Sequence, residues 1–102
     1  MTKDEFMASV QSDPEPPGSL SRELQSMWYA CKGDWDRAHH VAQDVPGADS
    51  SWVHANLHRE EGDVDNARYW YARAGKSEPN ASIEVERLEI VEALLEKDQQ
   101  RQ

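Results

Sequence analysis

The spacing of apolar and polar positions along the chain predicts a series of helices separated by short turns. Gly33, Gly62 and Gly75 stand where a helix can end in the left-handed conformation. Asp34 and Asp63 follow the first two of these glycines and can cap the next helix. These signals predict helices over about residues 20–32, 34–44, 49–62, 63–74 and 81–98. The predicted fold class is all-α.

The first 18 residues have a different pattern. A capping box at Thr2 and a short apolar stripe around Phe6 predict one or two helical turns. Prolines in 13–18 then exclude a helix, because each proline removes a donor and restricts its predecessor. We expect two units, an N-terminal arm at 1–18 and a helical domain at 19–102. The arm either docks through Phe6 or stays mobile.

The last predicted helix is amphipathic. Its apolar positions form one stripe at helical spacing: Leu88, Val91, Leu94 and Leu95. Its glutamates are spread over the other faces: Glu84, Glu86, Glu89, Glu92 and Glu96. This pattern predicts a polar-faced C-terminal capping helix that covers the second of two preceding hairpins.

An internal repeat is the most specific signal in the chain. The segments 33–38 and 62–67 match at four of six positions and lie 29 residues apart. Such a period is typical of stacked helix pairs. The small Ala38 and Ala67 allow the two helices of each pair to approach closely. The repeat predicts two stacked antiparallel helical hairpins.

These residues resemble the tetratricopeptide repeat (TPR). That family's turn is matched by 62–67, and its later aromatic, alanine and proline positions are matched by Tyr71, Ala74 and Pro79. The first copy departs from the pattern at Ala42 and Val45, and the 29-residue period is shorter than the family's, about 34. The stretch 52–75 also resembles segments of uncharacterised bacterial proteins. The resemblance implies a TPR-like alpha-alpha superhelix and a protein-interaction scaffold.

In that family the first helix of each pair lines a concave peptide-binding groove. Alignment on Ala38 and Ala67 places six residues in such a groove: Glu23, Met27, Trp52, Asn56, Arg59 and Glu60. Asn56 and Arg59 lie one helical turn apart and can together bind a carboxylate or a peptide backbone. Solvated helix surface is the alternative interpretation.

Three consecutive aromatic residues, Tyr69, Trp70 and Tyr71, cannot all face one side of a helix. We expect Tyr71 to pack inward beside Ala67 and Ala74. Trp70 or Tyr69 is then either an exposed partner contact or covered by the last helix. Trp70 is added to the predicted partner-binding residues.

The charge balance limits the partners. The 102 residues include 20 acidic and 11 basic side chains and carry a net charge of -9. A nucleic-acid partner needs a basic stripe, and none is present, so nucleic acid and anionic membranes are excluded as expected partners. A neutral to basic protein or peptide is favoured. Cys31 is the only cysteine, which indicates a reducing, cytoplasmic location.

His54 and His58 lie four residues apart, a spacing that can place both imidazoles on one metal ion. Ala55 stands where the zinc-protease pattern needs glutamate, so that signature is excluded. A site would need completion by a neighbouring residue: His39, His40, Glu60 or Glu61. Histidines that pack in the interior or line the groove are the favoured interpretation. A metal or small-ligand site is the alternative function.

No pattern in the chain indicates an enzyme. There is no nucleophile elbow, phosphate-binding glycine loop or Cys-x-x-Cys pair, and we predict neither a catalytic residue nor a cofactor. The predicted function is a non-enzymatic protein- or peptide-binding scaffold. A homodimer would also bury the apolar faces, and an oligomer contact is a third interpretation of the exposed positions.

Overall fold

The computed structural model describes residues 1–100, and this part of the chain is built from helices without strands. The six helices are α1 (Lys3–Ser12), α2 (Arg22–Lys32), α3 (Trp35–Ala42), α4 (Ala48–Glu61), α5 (Val64–Ala74) and α6 (Ile83–Gln100). The all-α prediction is confirmed. None of these helices combines the length and apolarity needed to cross a bilayer.

The two predicted Gly-Asp turns have the same local geometry. Gly33 and Gly62 adopt left-handed φ angles of 89° and 83°, which end α2 and α4. Asp34 and Asp63 each accept a hydrogen bond from the backbone N–H three residues later. These bonds satisfy donors that the first turn of a helix leaves free. Both caps are as the sequence predicts.

Three helix starts differ from the prediction, and the first is that of α2, which begins at Arg22, two residues later than expected. Helix α4 begins at Ala48, after Gly47, and no side chain caps it, whereas Asp49 or Ser50 was the expected start. Helix α6 begins at Ile83, two residues later than expected. The Ser82 hydroxyl accepts from a backbone N–H in the first turn of α6, which fixes this start.

Helix α4 lies at the centre of the packing. The most extensive contacts join α2 to α3 and α4 to α5, and α2 and α3 also pack against α4. Helix α6 packs against α1, α2 and α4, and its backbone does not approach α5. We expected α6 to cover the second hairpin. It instead packs across α2 and α4, the first helices of both pairs.

Helix α1 belongs to the same core as the other helices. Phe6 is fully buried in the main hydrophobic cluster. Trp28 Nε1 donates to Ser9 Oγ at 3.0 Å, and Lys32 Nζ donates to the Val10 carbonyl oxygen at 2.6 Å. The chain therefore docks through Phe6, one of the two expected alternatives, and the boundary at residue 18 lies in a loop within one core.

The inner face of α6 is not entirely apolar. Val91, Leu94 and Leu95 are buried as the stripe predicts, whereas Leu88 is half-buried and Ile90, which was not assigned to the stripe, is fully buried. Glu86 and Arg87 are also buried, with exposed fractions of 1% and 6%. The expectation that Glu86 lies on an outward face is wrong, because the apolar stripe continues by one turn into this charged pair.

Candidate functional site

Helix α6 covers the face on which the predicted groove residues lie. Met27 and Asn56 are fully buried, and Trp52 and Arg59 are half-buried. Glu23 is half-buried on α2. At Trp52, Asn56 and Arg59 the expected peptide groove is not open, because all three side chains bond to Glu86 of α6. Their role in binding a partner stays a prediction.

The Glu86 carboxylate organises the polar contacts beneath α6. Its Oε1 accepts from Asn56 Nδ2 at 2.8 Å and from Arg59 Nη1 at 3.3 Å. Its Oε2 accepts from Trp52 Nε1 at 3.3 Å. The Tyr71 hydroxyl lies 2.8 and 2.7 Å from the two oxygens. Three predicted groove residues, Trp52, Asn56 and Arg59, therefore donate hydrogen bonds to the last helix of the same chain.

Arg87 makes a second set of contacts in the same layer. Its Nε donates to Asn56 Oδ1 at 3.0 Å, and its Nη2 donates to Glu60 Oε1 at 2.7 Å. Its Nη1 reaches the Ala30 carbonyl oxygen at 3.3 Å. Glu60, another predicted groove residue, is therefore an ion-pair partner of α6. We call the contacts of Glu86 and Arg87 together the α6 polar network.

Tyr71 is the group whose ionisation this network disfavours most clearly. Burial raises the pKa of Tyr71 well above its usual value, and the adjacent Glu86 carboxylate raises it further. The hydroxyl therefore stays protonated and can donate to Glu86. A buried carboxylate is stable only when donors of this kind surround it.

A second polar region lies on the opposite side of α4, where three histidines meet. His39 comes from α3, and His54 and His58 come from α4. One ring nitrogen of each lies within 4.8 Å of the others. Their ring centroids are 5.5 to 6.3 Å apart. We call these three residues the histidine cluster; it contains both histidines singled out in the sequence.

The sequence offered four residues as further ligands beside His54 and His58, and the structure places them differently. His39 joins the cluster, and Glu61 contacts it, with Oε1 at 3.2 Å from His58 Nδ1. His40 is exposed on the outer side of α3. Glu60 is paired with Arg87 instead. Sequence spacing alone could not select among the four, because the selection depends on how α3 packs against α4.

Indole rings enclose the histidine cluster on two sides. Trp35 stacks on His39 with ring centroids 4.9 Å apart, and Trp70 stacks on His54 at 4.4 Å. Burial lowers the pKa of both His39 and His54, and the neighbouring histidines lower it further. For His54 a hydrogen bond to the Ala42 backbone acts in the opposite direction. Both imidazoles are therefore held toward the neutral form.

An aromatic surface continues from this cluster onto α5. Tyr69 is 52% exposed, and Trp70 beside it is half-buried. The Arg73 guanidinium lies 5.7 and 5.4 Å from the two ring centroids and donates to the Tyr69 hydroxyl at 3.0 Å. Tyr71 faces inward, as expected. We call Tyr69, Trp70 and Arg73 the α5 aromatic surface.

No family model matches this chain, and no curated protein or solved structure matches it either. Three features of the chain itself bear on function: the α6 polar network, the histidine cluster and the α5 aromatic surface. The first is closed by internal contacts. The histidine cluster leaves His54 Nδ1 without a hydrogen bond among the described residues, and the α5 aromatic surface leaves Tyr69 exposed.

Proposed function

We propose that this chain is a non-enzymatic, TPR-like helical-repeat scaffold that binds a protein partner through the α5 aromatic surface. The observation that carries the proposal is the position of α5. Within residues 1–100 its backbone packs against α4 alone, and Tyr69 is more than half exposed on its outer side. In repeat proteins each unit contacts only its neighbours, so a helix at the end of the stack keeps one face free.

The repeated turn supports the scaffold part of the proposal. The backbone N–H of Asp34 donates to the Tyr29 carbonyl oxygen at 2.9 Å, and that of Asp63 donates to the His58 carbonyl oxygen at 3.0 Å. These equivalent bonds close equivalent helix ends. The small Ala38 and Ala67 are buried at matching positions. Two units with the same turn and the same buried alanine support the proposal of a repeat scaffold.

The surface chemistry supports partner binding. Tyrosine, tryptophan and arginine are enriched in protein interfaces and contribute most of their binding energy. All three residue types meet on the α5 aromatic surface, whereas α6 already fills the predicted groove. We therefore propose that the partner binds on α5, and of the residues predicted to bind a partner we retain Trp70.

The net charge of -9 favours a neutral or basic partner, because like charge would slow and weaken association. We place the complex in the reducing environment that the single Cys31 indicates, the cytoplasm. A second copy of this chain is the competing occupant of the surface.

Site-specific photo-crosslinking tests this proposal. A photoreactive phenylalanine analogue is placed at Tyr69 in the full chain and, as a control, at the exposed Glu89 of α6. In cells of the source organism, we expect a discrete heteromeric product from position 69 that Arg73→Ala weakens and that position 89 does not give. A product that contains only this chain, or the same products from both positions, would overturn the proposal.

A further inference from the structure

His54 has a buried nitrogen without a partner. The residue is 6% exposed, and its Nε2 lies 3.1 Å from the Ala42 carbonyl oxygen. A carbonyl oxygen only accepts, so in the neutral imidazole the proton belongs on Nε2. The lone pair is then on Nδ1, which is buried and makes no hydrogen bond to any group within residues 1–100. Such an unpaired acceptor costs free energy that packing alone does not offset.

His58 is oriented in a complementary way. Its Nδ1 lies 3.2 Å from Glu61 Oε1, and a carboxylate accepts, so Nδ1 donates. In the neutral imidazole of His58 the lone pair is then on Nε2. Metal-binding histidines almost always donate their other N–H to a carboxylate or a backbone carbonyl. His54 and His58 show one of each arrangement, with the Ala42 carbonyl and with Glu61.

His39 supplies a third imidazole from a different helix. One ring nitrogen of each imidazole lies within 4.8 Å of one ring nitrogen of each of the other two. A tetrahedral ion with bonds of 2.0 to 2.1 Å separates its ligands by about 3.4 Å. Binding such an ion therefore requires any two of these nitrogens that lie farther apart than this to move closer together. Stacking on Trp35 and Trp70 already limits the planes of His39 and His54.

We propose that His39, His54 and His58 form a binding site for a divalent transition-metal ion, with Zn²⁺ as the best fit. The donor set is entirely imidazole nitrogen, which suits zinc, copper and nickel, whereas calcium and magnesium require oxygen ligands. A three-histidine set also leaves one coordination position open for water or a ligand. This site goes beyond the scaffold function and does not depend on it.

The surroundings of the site favour an ion over simple packing. The imidazoles of the cluster gain no ion pair from one another, and neighbouring histidines lower the pKa of His39 and His54 beyond the effect of burial. An arrangement needed only for packing is better served by apolar side chains of similar volume. The partial exposure of His39 gives an ion a route from solvent.

Zinc titration of the full chain, purified without a histidine tag, tests the site. Isothermal titration calorimetry is expected to show one Zn²⁺ per chain, and native mass spectrometry a matching mass increment that a chelator removes. His39→Ala and His58→Ala should weaken binding more than loss of an outer partner does, which is typically about 10- to 100-fold. Glu61→Gln should fall within that range, because Glu61 only positions His58.

His40→Ala is the matched control, since His40 lies beside His39 on α3 but outside the cluster. Its zinc affinity should equal that of the unchanged chain. Circular dichroism confirms that each variant is folded, and His39→Asn replaces His39→Ala if the alanine variant is not. Co²⁺ gives a second readout, visible absorption of tetrahedral cobalt, which the two ligand variants should lose.

Two outcomes would overturn the site. The first is the absence of stoichiometric Zn²⁺ binding, with only weak multiple uptake by surface carboxylates. The second is equal affinity in His39→Ala, His58→Ala and His40→Ala. Neither result bears on photo-crosslinking at Tyr69, so failure of the metal site and failure of the scaffold proposal are distinguishable.

Discussion

Glu86 is the buried acceptor that joins α6 to α4 and α5, and its replacement by glutamine tests that junction. N–H donors approach both of its oxygens, from Asn56 and Arg59 at Oε1 and from Trp52 at Oε2. An amide nitrogen cannot accept a hydrogen bond. Whichever way the new amide is turned, Glu86→Gln leaves at least one of these N–H groups facing another donor.

The size of the effect follows from these contacts. A hydrogen bond to a charged acceptor contributes about 1.5–3 kcal/mol, and a buried donor left unpaired costs about 1–3 kcal/mol. Asn56 and Arg59 retain second acceptors, the carbonyl oxygens of Ile83 and Ala81. We therefore expect Glu86→Gln to lower the free energy of unfolding by about 2–4 kcal/mol, below the 3–5 kcal/mol typical of breaking a buried pair outright.

Urea denaturation followed by far-UV circular dichroism measures this difference. Glu89→Gln is the matched control, because Glu89 lies on α6 but is exposed. It should change the free energy of unfolding by less than about 0.5 kcal/mol. The denaturation midpoint of Glu86→Gln should fall with the slope unchanged. If the two variants are equally stable, the carboxylate is not the organising acceptor that its contacts indicate.

Three further predictions concern Tyr71, Gly62 and Phe6. Because the folded state raises the pKa of Tyr71, the unfolded chain ionises first, so stability should be full below about pH 10 and fall above it. Tyr71→Phe should remove that part of the fall in urea denaturations between about pH 9 and 11.5, and an unchanged pH slope would contradict it. Gly62→Ala should cost about 1–2 kcal/mol in thermal denaturation because φ is +83°, whereas Gly18→Ala, at an open position without a positive φ, should not destabilise. Phe6→Ala should cost about 3–5 kcal/mol if α1 belongs to the core, and the exposed Gln11→Ala should cost less than about 0.5 kcal/mol; similar values for both would mean that α1 is not part of the cooperative unit.

The helices could be predicted from the sequence because local chemistry sets their ends. A left-handed glycine followed by a capping aspartate needs nothing beyond the neighbouring four or five residues. Gly33 and Gly62 therefore mark the ends of α2 and α4 correctly. The start of α4 could not be predicted in the same way, because Gly47 precedes it and no side chain caps the helix.

The position of α6 depends on contacts that local chemistry does not encode. Glu86 bonds to Asn56, which is 30 residues earlier in the chain. Without knowledge of these distant contacts, two adjacent charged residues such as Glu86 and Arg87 are expected to face solvent. The sequence did contain one sign that they are buried. Glu86 and Arg87 lie four residues before Ile90 and Val91, and so one helical turn earlier on the same face of α6. An acid and a base on an apolar stripe indicate a buried ion-pair layer.

The two polar regions on either side of α4 differ in how completely they are satisfied. Asn56 faces α6, where its amide oxygen and nitrogen both have partners. His54, two residues earlier, faces α3 and α5 and keeps Nδ1 unpaired. A closed network stabilises the junction it occupies and has no capacity left for a ligand. A metal ion would satisfy the lone pair of His54 Nδ1, and for this reason the histidine cluster, and not the α6 polar network, carries our metal-site proposal.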